Sequence, residues 1–267
     1  MKMMVDTHTH FSHRRFDKSR EDILPILRSH GIHGVIEAAI TIKSNYTMKS
    51  LCERFPNVFM AVACHPNCVL SMDKTAFNEL EQLAQYEKVV AIGETGLDYD
   101  RGASVELMEK QREWFEEFIK LALEVKKPLI IHSREANEAL IKILSRYKTS
   151  FSEYPGVVHC FNGSEADAEA LLDIGLFLGV NGMFTKMDKE SMLCQAIKKV
   201  PLERLLLETD CPFLRPEGAP EDYINSPLNL QYVVAGLAEL REENPEHIRK
   251  VIWSNTQKVF PGVFEEK

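Results

Sequence analysis

Nowhere in the 267 residues does an apolar run approach the ~18 needed to cross a bilayer, so no membrane span is expected. The first residues lack the basic region and apolar stretch of a secretory leader, which makes the cytoplasm the expected location. Basic excess is missing too: 32 Lys and Arg face 40 Asp and Glu, a formal net charge of -8. That balance excludes a broad electropositive surface for duplex DNA, yet metal ions and a few local cations suffice to hold one phosphate in a cleft. No glycine-rich phosphate loop opens the first helix, which disfavours a dinucleotide-binding fold. Internal repeats and low-complexity segments are absent, and nothing marks an obligate protein partner, so a monomer is the default. The six cysteines, Cys52, Cys64, Cys68, Cys160, Cys194 and Cys211, are expected as reduced thiols.

What is present is the composition of a soluble globular chain, 45% hydrophobic and 27% charged, arranged in a regular alternation. Apolar strands are expected at Met3 to Val5, Gly34 to Ile40, Val58 to Ala63, Val89 to Gly93, Leu129 to Ile131, Gly156 to Val158, Leu176 to Val180 and Leu205 to Leu207. Between them lie helical patterns, of which Ser104 to Lys126 is the longest and Met187 to Lys199 the last before the eighth strand. Pro25 places the regular start of the first helix close to Asp22. Helices at Leu228 to Leu240 and Pro245 to Trp253 end the chain, with a last turn around Asn255 to Phe260. Short all-apolar strands alternating with amphipathic helices imply a parallel sheet covered by helices. Eight alternations favour an α/β fold of one domain, residues 1–267, closed as a (β/α)8 TIM-type barrel with its active site at the C-terminal rim of the strands.

Five strand ends carry metal-binding groups. His8 and His10 follow strand one; with a side-chain period of two they point to the same side and can grip one ion. Glu94 ends strand four, His132 strand five, His159 strand six, and Asp210 follows strand eight. Singly, each of these is commonly a core or rim residue; in a barrel their positions converge on one rim. Four imidazoles and two carboxylates exceed what one tetrahedral zinc takes and fit two divalent ions about 3.5 Å apart with a carboxylate bridge. On this geometry Glu94 is the bridge, with His8, His10 and Asp210 on one ion and His132 and His159 on the other.

The motifs Asp6-Thr7-His8-Thr9-His10, Cys64-His65-Pro66, Gly93-Glu94-Thr95-Gly96-Leu97-Asp98, Ile131-His132-Ser133-Arg134-Glu135, His159-Cys160-Phe161-Asn162-Gly163-Ser164 and Leu207-Glu208-Thr209-Asp210-Cys211-Pro212 resemble those of the TatD-type metal-dependent deoxyribonucleases, amidohydrolase-like barrel enzymes. The match runs from Val5 to about Phe260 in order and spacing. The resemblance implies a divalent-metal hydrolase cutting phosphodiester bonds through a metal-activated water, with the six residues above matching the family's metal ligands. It also implies that magnesium can support activity, whereas the histidine-rich shell by itself favours zinc, manganese or iron.

Asp210 and Glu94 are the catalytic carboxylates of this reading, Asp210 as acceptor of the attacking water's proton. Glu208 shares the side of Asp210 and is a candidate to orient a ligand histidine. His65, Arg134 and Lys186 are candidate phosphate contacts, and Tyr99 or Phe213 candidate stacking rings for a base. Strand alternation turns Cys64, Cys160 and Cys211 away from the barrel mouth, as buried thiols. The loop from Cys211 to Pro227 departs from the family: a basic run and Arg-Asn-Glu-Pro are usual there, but here Glu217, Glu221 and Asp222 precede Asn225-Ser226-Pro227. An acidic loop over the mouth repels a phosphate backbone, and His13, Arg14 and Arg15 are the candidates to offset it. The substrate the resemblance implies is DNA, single-stranded or at ends. The alternatives are a hydrolase of small phosphoesters, lactones or amides on the same centre, or a metal-binding scaffold with little turnover. Total metal analysis of a His132→Ala variant tests the shared-site reading: reduced metal content and lost activity are expected, and full metal with full activity would overturn it.

Overall fold

Residues 3–100, 102–222 and 224–264 are described by the computed structural model. Among them, eight strands pair in parallel in sequence order: β1 (Met4–Thr9), β2 (Ile32–Ala38), β3 (Val58–Ala61), β4 (Val89–Asp98), β5 (Leu129–Arg134), β6 (Gly156–Val158), β7 (Phe177–Val180) and β8 (Leu205–Leu207). Helices α1 (Arg20–Ile26), α2 (Ile42–Arg54), α3 (Lys74–Leu83), α4 (Val105–Val125), α5 (Asn137–Ser145), α6 (Glu165–Ile174) and α7 (Met192–Lys199) link successive strands. Two more, α8 (Leu230–Arg241) and α9 (Pro245–Val259), follow the last. This is the expected α/β barrel.

Burial explains the composition of the strands. One residue from each strand, Val5, Ile36, Ala61, Ala91, Ile130, Val157, Phe177 and Leu206, meets inside the barrel, and Phe260 and Phe264 join this cluster. The interior is thus a packed core and not a pore. The intervening positions face the helices in a second, larger cluster that includes Leu24, Met48, Phe115, Phe118, Leu140, Leu171 and Leu237. Closure between the first and last strands is made at the mouth: Thr7 Oγ1 donates to Leu207 O at 2.9 Å, Asp210 N to His8 O at 3.0 Å and His10 N to Cys211 O at 2.9 Å. No helix among the described residues is long and apolar enough to cross a membrane.

Several element ends differ from expectation, and the site depends on three of them. β1 runs through His8 to Thr9, β4 through Glu94 to Asp98 and β5 through His132 to Arg134, because the polar side chains of these motifs are satisfied at the mouth and the ladder continues beneath them. α7 starts at Met192, where Ser191 accepts from Cys194 N as an N-cap; Phe184–Lys186 forms a separate 3-10 turn. α1 starts at Arg20, ahead of the residue that Pro25 suggested; a helix this short loses little to one missing donor. α9 continues past Trp253, since Asn255 is buried and donates to Leu202 O and Leu205 O at 2.8 and 2.9 Å, pinning the helix to the start of β8.

Gly96 shows how tightly β4 and β5 approach. It pairs with His132, its φ is +139°, and a Cβ there would fall on the His132 carbonyl oxygen. Gly96→Ala is expected to cost about 1–3 kcal/mol of stability and to displace His132. Denaturant unfolding together with metal content checks this; wild-type values for both would refute it.

Candidate metal centre

The alternation of extended backbone places His8 and His10 on one face of β1, and Glu94, Gly96 and Asp98 on one face of β4. At the mouth the six expected ligands come together. Glu94 lies between two imidazole pairs, one per oxygen. Its Oε2 is 3.3 Å from His8 Nε2 and 3.8 Å from His10 Nε2, while Oε1 is 2.8 Å from His132 Nδ1 and 2.9 Å from His159 Nε2. Within each pair the nitrogens are 3.1 Å apart, His8 Nε2 to His10 Nε2 and His132 Nδ1 to His159 Nε2. Asp210 Oδ1 joins the first pair, 3.2 Å from His10 Nε2 and 3.8 Å from His8 Nε2. Metal–nitrogen bonds of 2.0–2.1 Å at tetrahedral angles put ligand atoms about 3.3 Å apart, so both halves have the dimensions of a coordination shell. Glu94 Oε2 is buried with no hydrogen-bond partner, a costly arrangement that a cation relieves.

The outer nitrogen of each ring decides what the inner one offers. His10 Nδ1 meets Ala38 O at 3.1 Å; a carbonyl only accepts, so this nitrogen carries the proton and Nε2 presents its lone pair. His132 Nε2 meets Asp98 Oδ2 at 3.2 Å, which leaves Nδ1 as the donor atom. His65 is the reverse. Its Nδ1 accepts from Asn67 N at 3.1 Å, so the neutral ring is protonated on Nε2, 3.3 Å from Glu94 Oε1. Although His65, Asp98 and His132 lie within metal-holding distance of one another, this tautomer makes His65 a hydrogen-bond donor into the site.

Charge follows from the same contacts. Burial drives the Glu94 carboxyl up, but the surrounding imidazoles of His65, His159 and His8 outweigh it and hold the group well below the usual carboxylate range. Burial likewise opposes ionisation of Asp210, and the hydrogen bond from His10 overrides it, lowering the carboxyl. For His10 burial works against protonation, yet Asp210 and Glu94 lift the imidazole to about 9. His159 is raised well above its ordinary value against the same burial effect, first by the charge of Glu94, while burial and the charge of His159 lower His8. Carboxylates stay ionised and the protons on raised imidazoles are the ones a metal would displace.

A cavity of about 510 Å³ opens over this centre. Arg134 lines it, half-exposed and paired to Asp100 Oδ2 at 2.6 Å. Lys186 is exposed on its 3-10 turn and outside the lining, where Met183 of the same segment faces in. Glu208 is fully buried, but its carboxylate accepts from Cys160 N at 2.7 Å and Asn181 Nδ2 at 2.9 Å; His159 Nδ1 is 3.8 Å away, beyond a hydrogen bond. Cys64 and Cys211 are buried as expected. Cys160 instead lines the cavity, because β6 ends at Val158 and a φ of +47° at Cys160 breaks the alternation; burial still pushes its thiol up to about 12. Among the described residues of the acidic loop, Phe213 and Leu214 line the cavity, and Glu217, Glu221 and Asp222 do not. That loop is drawn aside, with Glu217 N on Thr185 Oγ1 at 2.8 Å and Arg215 Nη1 on Glu221 O at 2.8 Å.

Three carboxylates escaped the sequence reading. Asp98 shares the face of Glu94, a period-two signal that was there to be used. Burial raises it, but the hydrogen bond to His132 and others bring it to about 2. Asp6 accepts from Thr209 N at 2.9 Å and Thr209 Oγ1 at 2.5 Å, tying β1 to the segment after β8; burial raises it to about 8. Glu37, on β2, accepts from Phe11 N and Ser12 N at 2.6 Å each and fixes the chain beyond His10. Nothing in the spacing of Glu37 marks it. Asp98→Asn is expected to weaken metal binding about 10- to 100-fold with little change in folding, measured by competition with a chelating dye; unchanged affinity would show that His132 needs no such partner.

Comparison with known proteins agrees with this geometry. The family model for TatD-related DNases matches residues 5–261. An uncharacterized metal-dependent hydrolase of Buchnera aphidicola is 32% identical over 96% of this chain and 98% of its own. The 3'-5' ssDNA/RNA exonuclease TatD of Salmonella typhimurium is 28% identical over 98% of this chain and its whole length. Among solved structures, the TatD homolog YjjV from Escherichia coli superposes with a TM-score of 0.88 at 31% identity, covering 97% of this chain and 99% of that one. The chain belongs to the TatD-related DNase family of hydrolases.

Proposed function

We propose that this single-domain barrel is a two-metal phosphodiesterase that removes nucleotides from the ends of single-stranded nucleic acid in the cytoplasm. The observation that carries the reading is the division of Glu94, one oxygen toward His8, His10 and Asp210 and the other toward His132 and His159. His8, His10 and Asp210 would hold one ion, His132 and His159 the other, with Glu94 shared. Zinc, manganese, iron and magnesium are the candidates. When bound, the ions supply positive charge for the phosphoryl oxygens and acidify water toward neutral pH.

The residues of the chain divide the remaining work. Asp210, ionised and partly open to the cavity, accepts the proton of the water whose oxygen bonds to phosphorus as the bond from phosphorus to the 3' oxygen of the shortened strand breaks, and that oxygen leaves as a hydroxyl with a proton from solvent. His65 donates from Nε2, and Arg134 lies at the rim, both toward phosphate oxygens. Cavity charge supports an ion-dependent site: with the imidazoles neutral, as ligation requires, Glu94, Asp98 and Asp210 face Arg134 as the one arginine among the described lining residues, so an anionic substrate needs the positive charge of the ions. Size supports entry of one terminal nucleotide, for which about 510 Å³ is room enough. The exonuclease names of relatives such as the Salmonella protein support a 3' end as the entry point.

The test compares metal-depleted and reloaded protein on single-stranded DNA and RNA labelled at the 5' end, beside a panel of p-nitrophenyl phosphates. Stepwise shortening from the 3' end that requires manganese or magnesium is expected. Turnover of small esters alone would replace this reading with a small-phosphoester hydrolase, and silence on every substrate with metal loaded would favour a scaffold.

A further inference from the structure

We propose that Phe213 is the stacking platform for the base of the nucleotide whose phosphate lies at the metal centre, with the imidazole of His13 as its side wall. The inference rests on the nucleic-acid reading above and names the contact by which the cavity takes a nucleotide in place of a bare phosphate. Among the described residues, seven large apolar side chains are exposed, and of these Phe213 alone lines the cavity. The residue is 40% exposed although it stands beside a polar site. The ring centroid is 6.3 Å from that of His10, so a nucleoside tethered to a phosphate at the cage reaches it within the same cavity. His13 meets Phe213 edge-on at 5.5 Å and 70°.

An exposed ring serves as a platform only if its backbone is held, and here it is. Phe213 N donates to Asp210 O at 2.9 Å, closing a turn directly after the proposed proton acceptor. Asn225 Nδ2 donates to both Phe213 O and Thr209 O, and Asn229 Nδ2 holds Asn225 Oδ1 at 2.9 Å. Base recognition thus shares a scaffold with Asp210. Tyr99, the other candidate ring, is engaged elsewhere: its hydroxyl accepts from Arg112 Nη1 at 2.9 Å, the guanidinium lies 5.9 Å from its ring, and it is not in the lining. Stacking on a phenyl face tolerates every base, so this contact predicts a requirement for a base without a preference among bases.

The experiment uses single-stranded oligonucleotides that end in a normal nucleotide or in an abasic residue, with manganese-loaded protein. In the wild type the abasic end is expected to lower kcat/KM about ten-fold or more. That ratio should fall toward one in Phe213→Leu, which keeps apolar volume without a π face, and should persist in Phe213→Trp. A second readout needs no turnover: 2-aminopurine at the end of a phosphorothioate strand is expected to change fluorescence on binding to the wild type and not to Phe213→Leu. The same abasic ratio in wild type and Phe213→Leu overturns the inference while leaving the nucleic-acid reading intact. Wild-type protein that cleaves neither strand overturns both.

Discussion

The arrangement at the barrel mouth depends on one buried carboxylate, Glu94, held between imidazoles. Taking an ionised carboxylate out of water costs several kcal/mol, and the fold meets that cost with nitrogens from four other strands. A closed barrel is the architecture that allows this. Its parallel strands all end at the same rim, so residues far apart in sequence converge without long loops. The carboxylate in turn accounts for the charge state of the rings, because His159 and His10 are raised where they face it and its partner Asp210. Remove Glu94, and two clusters of like imidazoles face each other with nothing between them.

Holding the rings at those distances is the task of a layer behind them, in which Asp98 lines the cavity and Asp6, Glu37 and Ala38 do not. Asp6 bonds Thr209 and so couples the strand that carries His8 and His10 to the segment that carries Asp210. Glu37 grips Phe11 N and Ser12 N, and Ala38 O orients His10 from the same strand. Asp98 does for His132 what Ala38 O does for His10. These partners also separate the roles of otherwise similar histidines: a carbonyl or carboxylate on the outer nitrogen frees the inner one as a ligand, whereas the Asn67 N–H on His65 makes that ring a donor. The same residue type thus contributes two chemistries in one pocket, set by a single outer hydrogen bond.

The barrel, and the set of Glu94 with the five expected groups around it, were legible in the sequence because both follow from periodicity. Alternating short apolar strands and amphipathic helices define the fold, and strand ends carrying His, Glu or Asp define the rim. What was not legible depends on contacts across strands. The strand positions of His8, Glu94 and His132 were read one turn of ladder too early, since polar residues look like loop until their partners are known. Cys160 escaped because alternation holds only while the chain stays extended, and a positive φ after His159 ends it. The distance of Glu208 from His159 Nδ1, and the absence of Lys186 from a cavity lining that includes Met183, were likewise matters of tertiary packing.

The acidic loop after β8 illustrates a limit of arguing from charge alone. Glu217, Glu221 and Asp222 suggested a repulsive lid, but a loop acts through the side chains it turns inward, and among its described residues those lining the cavity are Phe213 and Leu214. Its acids lie outside the cavity lining, where salt in solution screens them beyond about 10 Å. Inside, among the described residues, three carboxylates are balanced by Arg134 and by the protons on the raised imidazoles, and the proposed ions would take the place of those protons. On the proposed reading, affinity for the phosphate and selection of what is attached to it fall to different parts of the molecule. The first belongs to strand ends that the barrel holds rigidly, the second to a loop whose aromatic face is anchored through Asn225 to the residue beside Asp210. Because that anchor is backbone and amide rather than charge, the identity of ring 213 is free to vary without disturbing the cage, which is where substrate range within such a barrel would be tuned.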